Sequence, residues 1–282
     1  MSLNDSGDTQ LVLCGGQINN DDIAVLRAFG DQLSLAMEAK RLRGKAATVE
    51  SLSEANLLRT AVLQSVSHDL RTPLAAIKAS VTGLLEDDVG FSADDRTSLL
   101  RTIDESSDRL DRVVGNLLDM SRLQAGATHA SVAPTATEEV VAAALDALAV
   151  PAERVYVDVS AELPLVLTDA ALLERSIANL VSNALAWSPA DNEVRIEAAT
   201  VLDRVDLRII DRGPGIAPDA RERVFQPFHR LGDRSTDAGV GLGLAIAKGF
   251  VEVTGGSLRV DDTPGGGCTF TISLPIAPKG DA

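Results

Sequence analysis

Aromatic side chains are scarce: six Phe, one Trp and one Tyr make up 3% of the 282 residues. Aliphatic side chains must therefore fill most of the core, and hydrophobic residues are 45% of the chain. Cysteine is almost absent. Cys14 and Cys268 lie far apart without metal-ligand spacing, which argues against a disulfide framework or thiolate metal site and fits a reducing compartment. No signal peptide is visible, and no apolar run approaches the ~20 residues a membrane-spanning helix needs. Positive charge is in deficit, with 26 Lys and Arg against 41 Asp and Glu and a net charge of −15. That balance disfavours nucleic-acid binding by phosphate neutralisation, so any nucleotide site must find its positive potential locally. The length allows one large or two medium domains.

Histidine is rare too, and one of the three stands in the most unusual stretch of the chain, Ser65-Val66-Ser67-His68-Asp69-Leu70-Arg71-Thr72-Pro73-Leu74-Ala75-Ala76-Ile77. Apolar residues at helical spacing (Leu52, Val62, Val66, Leu70, Ile77, Val81 and Leu84) predict a long helix ending near residue 86. Pro73 would leave the Asp69 carbonyl without its helical partner and bend the helix beside His68, at a cost of about 3 kcal/mol. Thr72 shares a face with His68. With Val66, Leu70 and Ile77 inward, His68 points to solvent. A neutral imidazole there can accept a phosphoryl group, with Asp69 placed to take the proton from its other nitrogen. A lone His-Asp pair on a helix is more often simply solvated, so the pair alone decides nothing.

Residues 1–20 read as a start in mid-domain, with a short strand at 11–14, and Asp21-Asp22 opens a helix with apolar positions at Ile23, Leu26, Phe29, Leu33, Ala36 and Met37. The tail of a truncated sensory domain and a tag-like end both fit. Beyond Asp87-Asp88-Val89-Gly90, Ser92-x-x-Asp95 is a capping signal. It opens a helix whose Leu99, Ile103, Leu110, Val113, Leu117 and Met120 form a heptad-like seam. Two such helices make an antiparallel hairpin that a second copy would complete as a dimeric four-helix bundle. Residues 124–134 read as a linker. Thr135-x-x-Glu138 suggests a cap for a helix to about 148, followed by a strand at 154–159 and a helix at 169–187. Strands at 193–200 and 205–210, a helix at 241–254 and strands at 257–260 and 268–274 complete an α+β domain.

Four stretches of that domain carry chemistry. Asn179 and Asn183 share a helix face, and an amide oxygen suits Mg²⁺. Asp211-Arg212-Gly213-Pro214-Gly215-Ile216 ends an apolar strand with a carboxylate that can accept from the exocyclic amine of adenine, beside glycines that admit a flat ring. Val224-Phe225-Gln226-Pro227-Phe228 sets two aromatics around a proline, as a pocket wall or as plain core. Gly239-Val240-Gly241-Leu242-Gly243-Leu244 precedes a helix whose N-terminus can hold phosphates, although the glycine spacing does not fit a dinucleotide fingerprint. Residues 231–238 read as a lid over the site. Each stretch is weak alone.

Together, in this order and behind the histidine helix, they resemble the sensor histidine kinases of two-component signalling over about residues 60–275. Ser65 to Leu74 resembles that family's H box, Asn179 to Ala184 its N box, Asp211 to Gly215 its G1 box, Phe225 to Phe228 its F box and Gly239 to Gly243 its G2 box. Within the family, the His68 stretch and the upstream Asp21-Asp22-Ile23 helix are similar to the Kdp-type potassium-sensing kinases. The resemblance implies a helical-hairpin dimerisation domain (a dimeric four-helix bundle) followed by an α/β-sandwich GHKL-type ATP-binding domain, α+β overall. It divides the chain into a GAF-like sensory tail and signalling helix at 1–45, a dimerisation and histidine phosphotransfer domain at 46–125, a linker at 126–134 and a catalytic domain at 135–282.

The same resemblance implies roles. His68 would be the phosphoacceptor, Asp69 its orienting base, and Thr72 a placer of water for removing phosphate from the partner. ATP and Mg²⁺ are the implied cofactors. Asn179, Asn183, Asp211, Gly213, Gly215, Ile216, Phe225, Arg230, Gly239, Gly241, Leu242, Gly243 and Thr269 would form the nucleotide site, with Asn183 on the metal. The implied partners are a second copy of the chain and the receiver domain of a KdpE-like response regulator. Neither nucleic acid nor direct membrane contact is expected of this cytoplasmic portion of a membrane-anchored parent. One departure stands out: the family commonly places a Lys-aromatic pair after the N-box Asn, and this chain has Ala186-Trp187. A phosphate-binding cation is missing there, and Arg230 or Arg234 would have to compensate. Two rival classes remain, a GHKL-type ATPase with His68 incidental and a dimeric scaffold that never labels itself.

Overall fold

The computed structural model describes residues 29, 32–33, 35–37, 66–67, 69–85, 91–148, 150–229 and 241–278. The chain divides into two compact units, Met1–Gln64 and Ser65–Ala282. In the first, the described residues are helical, in keeping with the spacing of Phe29, Leu33, Ala36 and Met37. The strand expected at 11–14, the helix start at Asp21, His68, Arg230, Gly239 and the expected lid lie outside the described residues.

The second unit begins with helix α1, whose residues 69–85 run unbroken through a buried Pro73. Its inward stripe differs from the expected one. Val66, Asp69, Pro73 and Ser80 are buried, whereas Leu70 and Ile77 are only half-buried and Val81 is exposed. The reason is that an acidic side chain occupies a seam position, which apolar periodicity alone assigns to the outside. Helix α2 (Ala93–Gln124) opens on the expected capping box. Asp95 N–H donates to Ser92 Oγ at 3.1 Å and Ser92 N–H donates to Asp95 Oδ2 at 3.0 Å, so two otherwise orphaned donors are satisfied. A Cβ on Gly83 would stand 3.6 Å from the Phe91 ring and 3.9 Å from Leu99, so the end of α1 lies against the start of α2. Val113 and Met120 are buried, while Leu74, Leu85, Leu100, Val114 and Leu118 leave a large apolar surface exposed on the two helices.

The remainder is a layer of helices on a mixed sheet. In chain order it comprises β1 (Ala133–Thr135), α3 (Thr137–Leu148), β2 (Val155–Asp158), β3 (Val166–Thr168), α4 (Ala170–Trp187), β4 (Val194–Val201), β5 (Arg204–Ile210), α5 (Gly243–Val253), β6 (Ser257–Asp262) and β7 (Cys268–Pro275). The main sheet has the order β2-β4-β5-β7-β6, with β2 parallel to β4 and the other pairs antiparallel. β1 and β3 form a separate antiparallel ribbon, joined to the main sheet by a bridge between Val166 and Ile276. This ribbon corrects two expectations. Thr135 is not a helix cap; its hydroxyl donates to Ala133 O and Thr168 O within the ribbon, and α3 begins two residues later. Residues 133–134, read as linker, are paired strand.

Alternation builds the core. Val205, Leu207 and Ile209 of β5 and Phe270, Ile272 and Leu274 of β7 face the helices, each fully buried. Against them pack Leu173, Ile177, Leu180, Val181 and Ala184 of α4, at spacings of 3 and 4. Each such large side chain contributes roughly 1.5–3 kcal/mol on burial. Asp169 starts α4, its Oδ1 accepting from the N–H groups of Ala171 and Leu172 at 3.0 and 3.2 Å. Ser176, buried on α4, donates to Ala247 O of α5 at 3.4 Å. With one face of α4 fixed on the sheet, the neighbouring stripe with Asn179 and Asn183 faces a cavity.

Candidate active site

That cavity has a volume of about 1060 Å³, at the upper end of the range for small-molecule sites. Its floor comes from the end of β5 and the start of β7. Asp211 is only 3% exposed. Its Oδ1 accepts from Gly213 N–H at 2.8 Å and Cys268 N–H at 2.9 Å, and its own N–H donates to Cys268 O at 2.8 Å. Oδ1 is thereby occupied, and Oδ2 is the oxygen left for a ligand. Burial pushes this carboxyl above the usual 3.8, against the pull of the two N–H groups and Arg212. The clamp requires glycine at 267. With φ at 103°, a Cβ there would lie 2.1 Å from Asp211 O. Ser188 Oγ receives Arg212 N–H at 3.2 Å, and Arg212 Nη1 donates to Pro264 O at 2.6 Å, so the loop after β5 is held from both sides. Cys268 lines the same floor, its thiol pushed up to about 12, first by burial and then by Asp211 and Asp262.

The opposite group surrounds the start of α5. A Cβ on Gly243 would sit 3.5 Å from Asn179 Oδ1, so that amide oxygen stands over the helix N-terminus. Phe228 has φ of 64° and donates its N–H to Gly241 O at 2.9 Å, which ties the end of the F-box stretch to the residues preceding α5. Asn179, Asn183, Asp211, Gly215, Ile216, Gly241, Leu242 and Gly243 all line the cavity. Three expected residues do not. Gly213 acts from behind through its bond to Asp211. Phe225 is half-buried against the core, its ring meeting Phe270 edge-on at 6.5 Å with Lys248 Nζ 5.2 Å above it, and the buried Val224 lines the cavity instead. Thr269 points away, its hydroxyl 2.9 Å from that of Thr263, because strand alternation turns Cys268 and Phe270 inward.

Ala186 and Trp187, standing where the family commonly has its Lys-aromatic pair, both reach the cavity. Two features of the wall were not anticipated, the first being His229, the third histidine. The far wall is α2, through Glu105, Arg109, Arg112, Asn116 and Asp119, a stripe at spacings of 3 and 4. Asp119 pairs with Arg175 of α4 at 2.7 Å, and Leu123 packs on Gly249 of α5, where a Cβ would come within 2.8 Å. No local signal in α2 points to a contact with residues more than fifty positions away. Asp69 is 4% exposed and Thr72 is exposed, both on α1.

A cleft with a clamped buried carboxylate at its floor, glycines beside it and a helix N-terminus facing paired asparagines is suited to an adenine nucleotide. Comparison with known families agrees. Residues 168–278 match the histidine kinase-, DNA gyrase B- and HSP90-like ATPases, and residues 58–126 match the His Kinase A phospho-acceptor domain. A phospho-acceptor hairpin followed by this ATPase fold is the catalytic core of a sensor histidine kinase, and the chain belongs to that family.

Among known proteins it resembles the sensor protein KdpD. It is 42% identical to KdpD of Mycobacterium tuberculosis over 277 residues, covering 95% of this chain and 32% of the relative. It is 36% identical to the sensor-like histidine kinase SenX3 of Mycolicibacterium smegmatis, covering 76% of this chain and 56% of that protein. The structure of full-length ShkA in complex with AMPPNP superposes with a TM-score of 0.54 at 29% identity, covering 78% of this chain and 47% of ShkA. The chain thus spans about a third of the length of its KdpD relatives. Among the described residues no helix is long and apolar enough to cross a membrane.

Proposed function

We propose that the chain is an ATP-dependent protein-histidine kinase core that phosphorylates His68 and passes the phosphoryl group to an aspartate of a response regulator. The observation that carries this reading is the Asp211 clamp, one oxygen held by two backbone donors and the other left to a nucleotide cavity, in a chain that also carries a phospho-acceptor match. ATP is the phosphoryl donor. Adenine offers its exocyclic amine to Asp211, and the phosphates extend toward the N-terminus of α5 and the Asn179 amide.

The donor set also fits Mg²⁺. Asn179 and Asn183 line the cavity with amide groups whose oxygens are hard ligands, and Mg²⁺ takes few protein ligands beside phosphates and water. Asn183 would hold it, with Asn179 beside it, and when bound it would neutralise charge on the phosphate oxygens. In the transfer itself a ring nitrogen of His68 forms the N–P bond as the γ-phosphorus separates from the bridging oxygen of ADP, and Asp69 receives the proton of the other ring nitrogen. The buried site of Asp69 favours a fixed orientation for such a base. Thr72, exposed one turn beyond His68, would position water for hydrolysing the phosphoryl group from the regulator's aspartate, releasing phosphate.

Two copies would close the exposed apolar surface of α1 and α2 into a four-helix bundle. The proposed divisions at 45/46 and 125/126 are kept, the linker ends at 132 because β1 belongs to the catalytic part, and that part is cytoplasmic in a membrane-anchored parent. Potassium or osmotic signalling through a KdpE-like receiver follows from the likeness to KdpD.

Incubation with γ-labelled ATP tests the reading. An acid-labile, base-stable label is expected on the wild type and absent from His68→Gln. A label kept by that variant ends the assignment. Hydrolysis without label indicates the ATPase reading, and neither activity in a folded chain indicates the scaffold.

A further inference from the structure

We infer that Arg112 of α2 is a phosphate-binding residue, so that the nucleotide site is completed by a helix of the phospho-acceptor hairpin. The inference rests on reading the cavity as a nucleotide site and names a contact from outside the ATPase-matched residues 168–278. α4 presents Ala178, Asn179, Ser182, Asn183, Ala186 and Trp187 to the cavity, none of them cationic. Glu105 and Asp111 line it as well and repel a polyphosphate, which therefore needs a cation of the wall.

Two contacts fix α2 as that wall. Asp119, 5% exposed, pairs with Arg175 of α4 at 2.7 Å, and Leu123 lies on Gly249 of α5, where a Cβ would come within 2.8 Å. Beyond the ion pair, Asn116 and Arg112 on α2 and Asn179 and Asn183 on α4 line one cavity, so the two stripes run out from it together. A helix rises about 1.5 Å per residue, which puts Arg112 about 10 Å along α2 from Asp119 and Asn183 about 12 Å along α4 from Arg175. Arg112 therefore stands across the cavity from Asn183, where the metal and the phosphates are proposed to lie.

Arg112 is also the cation available to a ligand. Its side chain is exposed, its Nε donates to Asp108 O at 3.4 Å, and its Nη groups have no partner among the described residues. A guanidinium fork matches phosphate oxygens two at a time. Arg175, on the α4 side, is engaged by Asp119.

The test titrates MgAMPPNP and adenosine calorimetrically into the full chain. It compares wild type, Arg112→Gln, Arg112→Lys, Gly249→Leu, Arg112→Gln with Gly249→Leu, Arg112→Gln with Ala186→Lys, and the double variant Arg230→Gln with Arg234→Gln. Circular dichroism confirms that each is folded. Arg112→Gln is expected to weaken MgAMPPNP about 10- to 100-fold, the range for a hydrogen bond to a charged group, and to leave adenosine unchanged. Lysine keeps the charge without the fork and should lose less than glutamine. Gly249→Leu fills the place of Leu123 and lifts α2, so it should reproduce the Arg112→Gln loss, and the two together should lose no more than either alone. Ala186→Lys, a cation on the facing helix, should restore affinity to the Gln variant. The inference is overturned if MgAMPPNP affinity survives Arg112→Gln or Gly249→Leu, if adenosine weakens as much as MgAMPPNP, or if Lys is no better than Gln. It is equally overturned if the losses multiply, if Ala186→Lys restores nothing, or if only the Arg230 and Arg234 variant loses MgAMPPNP. A wild type that binds neither ligand would instead remove the nucleotide-site reading, and this inference with it.

Discussion

Asp211→Asn isolates the group on which nucleotide recognition turns. In the wild type Oδ1 is held by Gly213 N–H at 2.8 Å and Cys268 N–H at 2.9 Å. Asparagine keeps an oxygen that can accept both, so the fold should lose no more than about 1 kcal/mol. Asp211→Ala would instead orphan two buried donors at about 1–3 kcal/mol each and confuse binding with stability. What asparagine changes is the group facing the base, an NH₂ where the carboxylate had an acceptor. A hydrogen bond to a charged acceptor is worth about 1.5–3 kcal/mol, and a donor now meets the adenine amine, so ADP should weaken by about 100-fold. Inosine carries a carbonyl oxygen where adenosine has its amine, so the asparagine chain should gain affinity for IDP relative to the wild type. Calorimetric titration of ADP and IDP into both chains measures the exchange. The pH response follows from the raised carboxyl. Protonation removes the acceptor, so ADP affinity of the wild type should fall on acidification at a pH above the ordinary 3.8, and Asp211→Asn should lack that step. Unchanged ADP affinity in the variant, or equal losses of ADP and IDP, would refute the role given to Asp211.

Three further outcomes are expected. Gly267→Ala should cost about 3 kcal/mol or more through its clash with Asp211 O and its φ of 103°, lowering Tm by roughly 6–12 °C in a thermal melt. Ser92→Ala should cost about 1 kcal/mol by removing the hydroxyl that accepts from Asp95 N–H, while the backbone N–H of residue 92 keeps its bond to Asp95, a Tm shift of roughly 2–4 °C. In a Cys14→Ser background, Cys268 should resist iodoacetamide at pH 8 until the chain is unfolded. Its thiol is raised from 9.0 to about 12 in the fold, so the associated stability is present below pH 9 and lost as pH rises from there toward 12, visible in denaturant midpoints.

The residues differ in how far local sequence revealed them. Ser92 with Asp95, and Asp169 ahead of α4, were legible because a cap is a contact between near neighbours. The alternation of β5 and β7 was legible because one face of each strand is buried. β3 was missed: it has three residues, too few to show a period, and exists through its pairing with β1. The burial of Asp69 was not legible, because charge normally marks a solvated face and a lone His-Asp pair is more often solvated. In the site, Asn179, Asn183, Asp211 and Gly243 were found from motif order. The Asp211 clamp, the inward turn of Cys268 in place of Thr269, the burial of Phe225 and the α2 wall depend on pairings more than forty residues apart. His229 went unremarked because nothing about its neighbours marks it as a residue that lines the cavity.

That the histidine helix and the nucleotide cavity serve one reaction is tested most directly by ³¹P NMR of the full chain after incubation with MgATP. At an MgATP concentration that just saturates the wild type, a phosphoramidate resonance is expected in the wild type, absent from His68→Gln and strongly reduced in Asp211→Asn, with both variants folded. A resonance that persists in His68→Gln or is undiminished in Asp211→Asn, or none in a wild type that binds ADP, would contradict it.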